Sequence, residues 1–333
     1  MGKPSYILLV RHGESEGNCD KSVNRFTPNH LVALTEEGHA QAKQAGRVLR
    51  EFLENEALTN ACSDYHKNPR SIMFYTSPYL RARQTCNDII SGIQGLEDVS
   101  YKIHEEPRMR EQDFGNFQST AEEMEMIWQE RAHYGHFFYR IPHGESAADV
   151  YDRVASFNET LFRQFQHDNF PNILILVTHG IWARVFLMKW FRWSYEEFES
   201  LRNIPHCQYQ IMKRHVLSGK FHLKTHLKTW DDLPEDGIDE EEVKKEFSDE
   251  LRFNSKNKLD NLNDLDIDSI IRAQKDAIKS SRSKDKQLNE AFKKAMSRNS
   301  VSPQAIQSSK FDHVRYSADN QSLDNSSDNL IIN

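Results

Sequence analysis

The sequence predicts an α/β fold in which a mostly parallel central sheet is covered by helices on both faces, a three-layer α/β/α arrangement. Short apolar runs are each followed by a polar turn and then by a helical pattern, and this alternation is typical of such sheets. Buried strands are predicted at residues 6–10, 72–75 and 173–177. Because the runs are continuously apolar rather than alternating, both faces of each strand are expected to be covered.

Capping residues and apolar periodicity indicate the helices. Thr35 is a candidate N-cap for a helix that runs to about Phe52. Glu36 and Glu37 fall in its first turn, where acidic side chains suit the helix dipole. Further helices are predicted at residues 81–90, 146–165 and 180–191, and two later strands, forming an edge hairpin, at residues 208–213 and 221–226.

A change in composition after Trp230 divides the chain. The apolar fraction of 38% and the mean hydropathy of −0.75 are low for a wholly packed protein. After Asp231, acidic residues and then lysine, serine, asparagine and aspartate dominate, and such a segment cannot bury enough apolar surface to offset its ordering entropy. We therefore predict a folded domain at residues 1–232 and a largely disordered tail at 233–333, with a helix near 267–296.

Charge and cysteine content exclude several function classes. The formal charge of −7 argues against a nucleic-acid binder, and no apolar run approaches the length of a membrane span. The first residues do not resemble a secretory signal. The four cysteines form neither metal-ligand nor redox pairs, which predicts free thiols in a cytoplasmic protein. The composition of the tail makes it a candidate for binding a protein or membrane partner.

An arginine and a histidine stand side by side where the first strand ends. Arg11 and His12 lead into a polar, glycine-containing loop at residues 13–18. An imidazole supplies a nucleophilic nitrogen, and the planar donor fork of a guanidinium holds phosphate oxygens. The pair suits phosphoryl transfer, although an incidental salt bridge at a strand end is the commoner explanation when such a pair is seen alone.

Four later segments, at residues 76–85, 110–115, 143–146 and 178–180, add polar residues in a consistent order. The first puts Arg81 at the start of a helix, and the second puts Glu111 in an aromatic, glycine-bearing loop. Ligands of parallel sheets bind beyond the carboxyl ends of the strands. Four residues fall at such ends and are expected to lie near one another: Arg11, His12, Ser77 and His179.

Together these motifs resemble the histidine phosphatase superfamily, also called the phosphoglycerate mutase-like family, over roughly residues 4–230. The loop at residues 11–18 and the segment at residues 34–42 fit that family closely. Within the family, the chain looks most like fungal cytosolic phosphatases of broad acid-phosphatase type. The resemblance implies a phosphoglycerate mutase-like fold and a phosphomonoester hydrolase of the acid phosphatase type.

The resemblance also assigns roles to residues. His12 is expected to attack phosphorus and form a phosphohistidine, while Glu111 protonates the leaving oxygen and then activates water. The phosphoryl oxygens are expected to be bound by four side chains: Arg11, Asn18, Arg81 and His179. No metal or other cofactor is implied, because cationic side chains supply the charge. The implied partner is a phosphorylated substrate, either a small molecule or a phosphoprotein.

Several residues compete for these roles. Arg83 neighbours Arg81 and is expected to be solvated or ion-paired. Asn18 has an alternative role as the cap of its loop, and residues 145–146 are as consistent with a helix start as with a binding pair. Three other carboxylates compete with Glu111 as the acid, although the loop pattern favours Glu111: Glu105, Glu106 and Asp113.

The spacing of two histidine groups, at residues 133, 136 and 143 and at residues 222 and 226, suggests metal ligands, but no carboxylate or cysteine completes either set. We therefore predict no metal site. Three functions remain open: a phosphomonoesterase, a cofactor-dependent phosphoglycerate mutase, and a non-catalytic phosphate-binding module. The short interval between Glu111 and His179 leaves no room for the long insertion of the mutases, and this favours hydrolysis. Every predicted catalytic position is also occupied by a residue that can perform its role, which argues against the non-catalytic module.

Overall fold

A computed structural model of the chain describes residues 2–20, 22–54, 68, 70–115 and 121–229. The strands of this part of the chain form one sheet of six strands. They are β1 (Tyr6–Arg11), β2 (Ser71–Thr76), β3 (Ser100–Glu105), β4 (Ile173–Thr178), β5 (Tyr209–Arg214) and β6 (Phe221–Leu223). The three strands predicted from apolar runs are therefore confirmed as β1, β2 and β4, each to within one or two residues.

The strands lie in the order β3-β2-β4-β1-β5-β6. The first four of these are parallel, whereas β5 runs antiparallel to β1 and β6 antiparallel to β5. The predicted mostly parallel sheet with a later hairpin is confirmed. The carboxyl ends of β1, β2 and β4 consequently meet at one edge, and the residues that precede β5 lie beside those that follow β1.

Each central strand contributes side chains to two separate cores. In β1, Ile7 and Leu9 pack on one face of the sheet, while Leu8 and Val10 pack on the other. Successive side chains of a strand point to opposite faces. Every residue of β1 and of β4 is buried, which is why these strands are continuously apolar up to their ends.

The helices are α1 (Glu16–Cys19), α2 (Val23–Phe26), α3 (Glu36–Glu54), α4 (Leu80–Ile93), α5 (Ala121–Tyr134), α6 (Ala147–Gln164), α7 (Gly180–Phe191) and α8 (Tyr195–Ser200), with short 3₁₀ turns at Asn29–Leu31 and Pro107–Met109. Helices α3 and α4 bury Leu49 and Ile89 on one face of the sheet. Helices α6 and α7 bury Phe157 and Trp182 on the other face. The three-layer arrangement is thus confirmed.

The loop after β1 is held against the start of α3. A Cβ atom on Gly13 would collide with the carbonyl of Gly38, and one on Gly38 would collide with the carbonyl of Glu14. Only glycine allows two backbones to approach this closely. Thr35 is the predicted N-cap, since its Oγ1 accepts the backbone N–H of Gly38 at 3.0 Å. This contact fixes the loop that carries His12 to a rigid element.

Some elements were not predicted. Strand β3 is exposed at every position and therefore has no apolar run to reveal it. Helices α1, α2, α5 and α8 were also not predicted, and α1 begins inside the loop predicted at residues 13–18. The last strand ends at Leu223 rather than at residue 226. The predicted tail at 233–333, including its helix near 267–296, lies outside the described residues. In the part of the chain that the structure describes, no helix has the length and apolarity needed to span a membrane.

Candidate active site

His12 lies directly after β1, at the sheet edge where β1 and β4 end. Its backbone N–H donates to the carbonyl of Thr178 at 2.9 Å, and only 4% of the residue is exposed. The ring Nδ1 lies 2.7 Å from the carbonyl oxygen of Gly13. Because a carbonyl can only accept, Nδ1 carries the proton of the neutral ring and the lone pair resides on Nε2. Nε2 is therefore the nitrogen that can act as a nucleophile.

Arg81 points its guanidinium at that nitrogen. Its Nε donates to His12 Nε2 at 3.2 Å, and its Nη1 donates to the carbonyl of Asn29 at 2.7 Å. The guanidinium carbon also lies 5.0 Å from the ring centre of Tyr79. Arg81 stands in the first turn of α4, so the helix that follows β2 delivers this cation to the carboxyl edge of the sheet. These contacts fix a buried positive charge beside the lone pair of His12.

His179 follows β4 and is the N-cap residue of α7, with its ring centre 5.1 Å from that of His12. Its Nε2 lies 2.8 Å from Ser77 Oγ, and that oxygen already accepts the backbone N–H of Tyr79 at 3.3 Å. The Ser77 hydroxyl can donate to Nε2 as well as accept from it, so this contact is compatible with either tautomer of neutral His179. Nδ1 is buried and has no hydrogen-bond partner among the described residues. A buried ring nitrogen beside His12 that no described residue bonds is suited to contact a ligand.

Arg11 supplies a second buried guanidinium. It ends β1, is 5% exposed, and donates from Nη1 to the carbonyl of Ile204 at 2.9 Å. The charges of Arg11 and Arg81 both act on the two histidine rings. Two buried cations beside two neutral rings form an electropositive pocket that suits a phosphate dianion. The structure therefore brings together four of the predicted site residues: Arg11, His12, Arg81 and His179.

The pocket keeps both histidines neutral. Burial lowers the pKa of His12 well below 6.5, and the positive charge of Arg81 lowers it further. The pKa of His179 is also lowered well below 6.5, first by burial and then by Arg81. Burial lowers the pKa of Arg81 itself to about 10, against the opposing influence of Glu111, so the guanidinium stays charged at neutral pH. Neutral rings and charged guanidinium groups therefore coexist at neutral and mildly acidic pH.

These shifts predict that the folded domain loses stability in acid. Below pH 6.5 a histidine in the unfolded chain binds a proton, whereas His12 and His179 in the folded protein stay neutral. The free energy of unfolding should therefore fall as pH falls towards the lowered pKa values. Each pKa unit of difference contributes about 1.4 kcal/mol. Urea unfolding of the full chain between pH 7 and pH 5 would measure the slope. The double variant His12→Gln/His179→Gln should have a flatter slope, and exposed His222→Gln should not.

Glu111 lies on the loop that approaches this pocket from the side of α6. Arg153 holds the loop by donating from its guanidinium to three backbone carbonyls, those of residues 108, 110 and 111, at 2.8–3.0 Å. Arg153 is in turn paired with Glu145 at 2.8 Å. The Glu111 carboxylate accepts the backbone N–H of Gln112 at 3.0 Å, and its charge acts on Arg81. The carboxylate therefore lies near enough to the pocket for its charge to act on Arg81.

The competing residues are engaged elsewhere. Arg83 forms an ion pair with Glu105 at 3.2 Å, with both side chains about half exposed, which confirms the expectation for Arg83. Glu106 caps the 3₁₀ turn at Pro107–Met109 and pairs with Arg108 at 2.7 Å. Asp113 accepts the backbone N–H of Gly115 at 2.9 Å. Glu105 and Glu106 are thus held in ion pairs. Asp113 accepts a neighbouring backbone N–H as Glu111 does, so the choice of Glu111 as the acid stays a prediction.

Asn18 and the 145–146 pair have structural contacts. Asn18 Oδ1 accepts hydrogen bonds from the backbone and the hydroxyl of Ser15 at 3.0 and 2.7 Å, which is the capping role that the sequence left open. Ser146 is the N-cap of α6, and Glu145 pairs with Arg153 as well as with Arg110. The structure therefore assigns residues 145–146 to a helix start, and the phosphate contact of Asn18 stays a prediction.

Three residues near the site were not predicted from the sequence to belong to it. Arg153 acts on backbone carbonyls, which have no residue-specific pattern in a sequence. The ring of Tyr79 lies 5.2 Å from that of His179, a contact between residues that are far apart in the chain. His206 Nδ1 lies 2.7 Å from the backbone oxygen of His12, and pairing β5 with β1 was the signal that could have located it. For the histidine groups at residues 133–143 and 222–226, no three potential metal ligands cluster anywhere within the described residues.

The fold and this pocket define a class of protein: an α/β protein with paired histidines and arginines at the carboxyl edge of its sheet. The chain matches the model of the histidine phosphatase superfamily (branch 1) over residues 7–229, and it belongs to that superfamily. The resemblance seen in the sequence is thereby confirmed. The prediction that the chain is an enzyme of the phosphatase type is confirmed with it.

Two relatives and one solved structure are similar to this chain. The broad-range acid phosphatase DET1 of Saccharomyces cerevisiae is 40% identical over 70% of this chain and 92% of that protein. The phosphoglycerate mutase-like protein AT74H of Arabidopsis thaliana is 42% identical over 67% of this chain and 78% of that protein. The structure of mycobacterial hydrolase 1, at 17% identity, matches 68% of this chain and 99% of its own with a TM-score of 0.50. That likeness concerns the fold alone.

Proposed function

We propose that this enzyme is a metal-independent phosphomonoester hydrolase of the acid phosphatase type, which acts through a phosphohistidine on His12 with Glu111 as proton donor. The tautomer of His12 carries the proposal. The proton on Nδ1 is held by the carbonyl of Gly13, and the lone pair on Nε2 faces the guanidinium of Arg81 at 3.2 Å. A neutral nucleophile beside a phosphate-binding cation is what attack on phosphorus requires.

In the first step, His12 Nε2 forms a bond to phosphorus as the bond from phosphorus to the leaving oxygen breaks. Three donors bind the phosphoryl oxygens and stabilise the charge of the transition state: Arg11, Arg81 and the Nδ1–H of His179. Arg81 exchanges its hydrogen bond with His12 for one with a phosphoryl oxygen, which frees the lone pair. Glu111 gives its proton to the leaving oxygen, so that the product departs as a neutral alcohol.

In the second step, water hydrolyses the phosphohistidine. The Glu111 carboxylate, now without its proton, accepts one from the attacking water while the bond from phosphorus to Nε2 breaks. Inorganic phosphate leaves, and His12 and Glu111 return to their starting protonation states. Positive charge for both steps comes from the guanidinium groups of Arg11 and Arg81, and this supports a reaction without a metal.

Two observations support acidic working conditions. Attack needs neutral His12, whose pKa is lowered well below 6.5, so the nucleophile survives at a pH where an ordinary histidine is largely protonated. A relative of 40% identity bears the name broad-range acid phosphatase, and we extend that activity and its breadth to this chain.

The proposal is tested with the full chain, p-nitrophenyl phosphate and EDTA at pH 5 and pH 7, followed by an alkaline quench and mass spectrometry of the labelled peptide. We expect phosphate release in EDTA, faster at pH 5, and an alkali-stable phosphoryl group on His12. Loss of activity in EDTA with recovery on added divalent cation would overturn metal independence. Isomerisation of 3-phosphoglycerate without hydrolysis would make the enzyme a mutase, and silence in both assays would make it a phosphate-binding module.

The two neighbouring arginines of α4 provide a matched pair of variants. Arg81→Met keeps the length of the side chain but removes the charge beside His12, and it should lower kcat/KM by about 10²–10³-fold. Arg83→Met removes a half-exposed partner of Glu105 and should leave kcat/KM unchanged. Steady-state kinetics with p-nitrophenyl phosphate would measure both. Equal losses in the two variants would contradict the assignment of Arg81.

A further inference from the structure

His206 lies beside the residue that carries the nucleophilic nitrogen. Strand β5 runs antiparallel to β1, so the residues just before Tyr209 come to lie next to the end of β1. The ring centre of His206 is 5.5 Å from that of His12, with the ring planes at 53°. Nothing in the family motifs of the sequence covers this histidine, and its place next to His12 arises only from the sheet.

Three hydrogen bonds join the segment around His206 to the end of β1 and to His12. The Nδ1 of His206 donates to the backbone oxygen of His12 at 2.7 Å, and the N–H of Cys207 donates to the carbonyl of Arg11 at 3.0 Å. Arg11 in return donates from Nη1 to the carbonyl of Ile204 at 2.9 Å. Cys207 has φ of 56°, a left-handed conformation that costs energy for a residue with a side chain. Such strain at a functional site persists only where surrounding contacts enforce it.

The peptide groups on both sides of His12 are therefore held by neighbouring segments. The backbone N–H of His12 donates to Thr178 at the end of β4, and its carbonyl accepts from His206 before β5. The orientation of a side chain follows the orientation of its own peptide groups. Fixing both groups, with the tilted ring of His206 centred 5.5 Å from that of His12, leaves His12 Nε2 with little freedom to move away from Arg81.

We propose that His206 is a positioning residue for the phosphatase reaction, which holds the backbone carbonyl and the ring of His12 so that Nε2 is aligned for attack on phosphorus. The inference rests on the proposed role of His12 as the nucleophile. The working atom of His206 is Nδ1, and its contact is with the enzyme rather than with the substrate. A misplacement of a reacting group by about 1 Å can cost about 10²-fold in rate, which is the scale of effect expected here.

Replacing His206 by asparagine or by glutamine distinguishes a role of its Nδ1 from a role of its Nε2. The amide nitrogen of asparagine occupies the position of Nδ1 in a histidine, and that of glutamine the position of Nε2. His206→Asn can therefore restore the bond to the His12 carbonyl, whereas His206→Gln can restore only a donor at the far side of the ring. The longer side chain of glutamine does not lack room, because His206 also borders an open, largely apolar groove of about 590 Å³ between α3 and β5.

The experiment compares His206→Ala, His206→Asn and His206→Gln by rapid-quench formation of the phosphoenzyme and by steady-state kinetics, with thermal midpoints measured beside them. Exposed His222 on β6 supplies the controls His222→Asn and His222→Gln. We expect His206→Ala and His206→Gln to slow phosphoenzyme formation by about 10²-fold with little change in KM, while His206→Asn keeps most of the wild-type rate and the wild-type pH profile.

Each other outcome would overturn the inference. Rescue by glutamine but not by asparagine would make His206 a substrate-binding donor through Nε2. Wild-type rates in all three variants, or equal losses that follow the thermal midpoint in all three, would leave it with a purely structural role. A wild-type enzyme that hydrolyses the substrate but is never labelled at His12 would instead refute the proposed nucleophile, and the two failures are thus separated.

Discussion

His12→Asn is expected to abolish phosphoenzyme formation and to lower kcat by more than about 10⁴-fold, because the variant has no atom at the position of Nε2. Asparagine is the sharpest replacement. Its amide nitrogen can keep the hydrogen bond to the carbonyl of Gly13, which is 2.7 Å from Nδ1 in the wild type. The backbone bonds of residue 12 are also preserved. The fold and the oxygen-binding donors should therefore survive while the nucleophile alone is lost.

The measurement for His12→Asn is single-turnover labelling followed by steady-state release of p-nitrophenol. Binding of inorganic phosphate, followed by calorimetry, should persist in the variant, since Arg11, Arg81 and His179 are untouched. His222→Asn is the control for the chemical change at an exposed site. A variant that retained more than a small fraction of the wild-type kcat, with a thermal midpoint like that of the wild type, would show that another group attacks phosphorus.

Glu111→Gln is expected to lower kcat by about 10²–10⁴-fold with an alkyl phosphate such as glycerol phosphate, because an alkoxide leaves poorly without a proton. With p-nitrophenyl phosphate the first step should be less affected, since nitrophenolate leaves without protonation. Hydrolysis of the phosphohistidine still needs the base, so the phosphoenzyme should accumulate in the variant. This separation between substrates is a signature that a structural defect at residue 111 would not produce.

The control for this prediction is Glu105→Gln, which removes a carboxylate from an exposed ion pair with Arg83. It should leave the kinetics with both substrates unchanged. Rates measured over pH 4–8 would add a second readout. The fall in the wild-type rate towards neutral pH should disappear in Glu111→Gln with the alkyl phosphate if Glu111 is the acid. Equal losses with both substrates and no accumulated phosphoenzyme would remove Glu111 from the mechanism.

The two halves of the site are built in different ways. The residues proposed to bind the phosphoryl oxygens stand at strand ends and in the first turns of helices, where backbone geometry fixes Arg11, His12, Arg81 and His179. Glu111, the proposed acid, lies instead on a loop without regular structure. The guanidinium of Arg153 compensates by bonding to the carbonyls of residues 108, 110 and 111, while Trp182 Nε1 donates to the carbonyl of residue 108 at 2.7 Å. Buried donors to backbone thus give the loop the rigidity that a strand has by itself.

Local patterns in the sequence were sufficient to predict the sheet core and the grouping of Arg11, His12 and His179 at one edge of it. Strands β1, β2 and β4 are continuous apolar runs because both of their faces are buried. The strands being parallel, their carboxyl ends share an edge, and Arg11, His12 and His179 had to meet there. Edge strand β3 was not predicted, because an exposed strand needs no apolar residues. Glu111 could be favoured by the family pattern, but the sequence could not exclude Glu105.

The sequence by itself thus determined the superfamily, the three-layer fold and the grouping of Arg11, His12 and His179 at the carboxyl edge of the sheet, since these depend on periodicity and on motifs that are local in the chain. Only the tertiary structure decided the tautomer of His12, the pairing of Glu105 with Arg83, and the position of His206 against His12. Each of these depends on atoms that are brought together from distant parts of the chain. Strand order and register decide which groups meet, and a hydrogen-bond partner then decides where each proton resides.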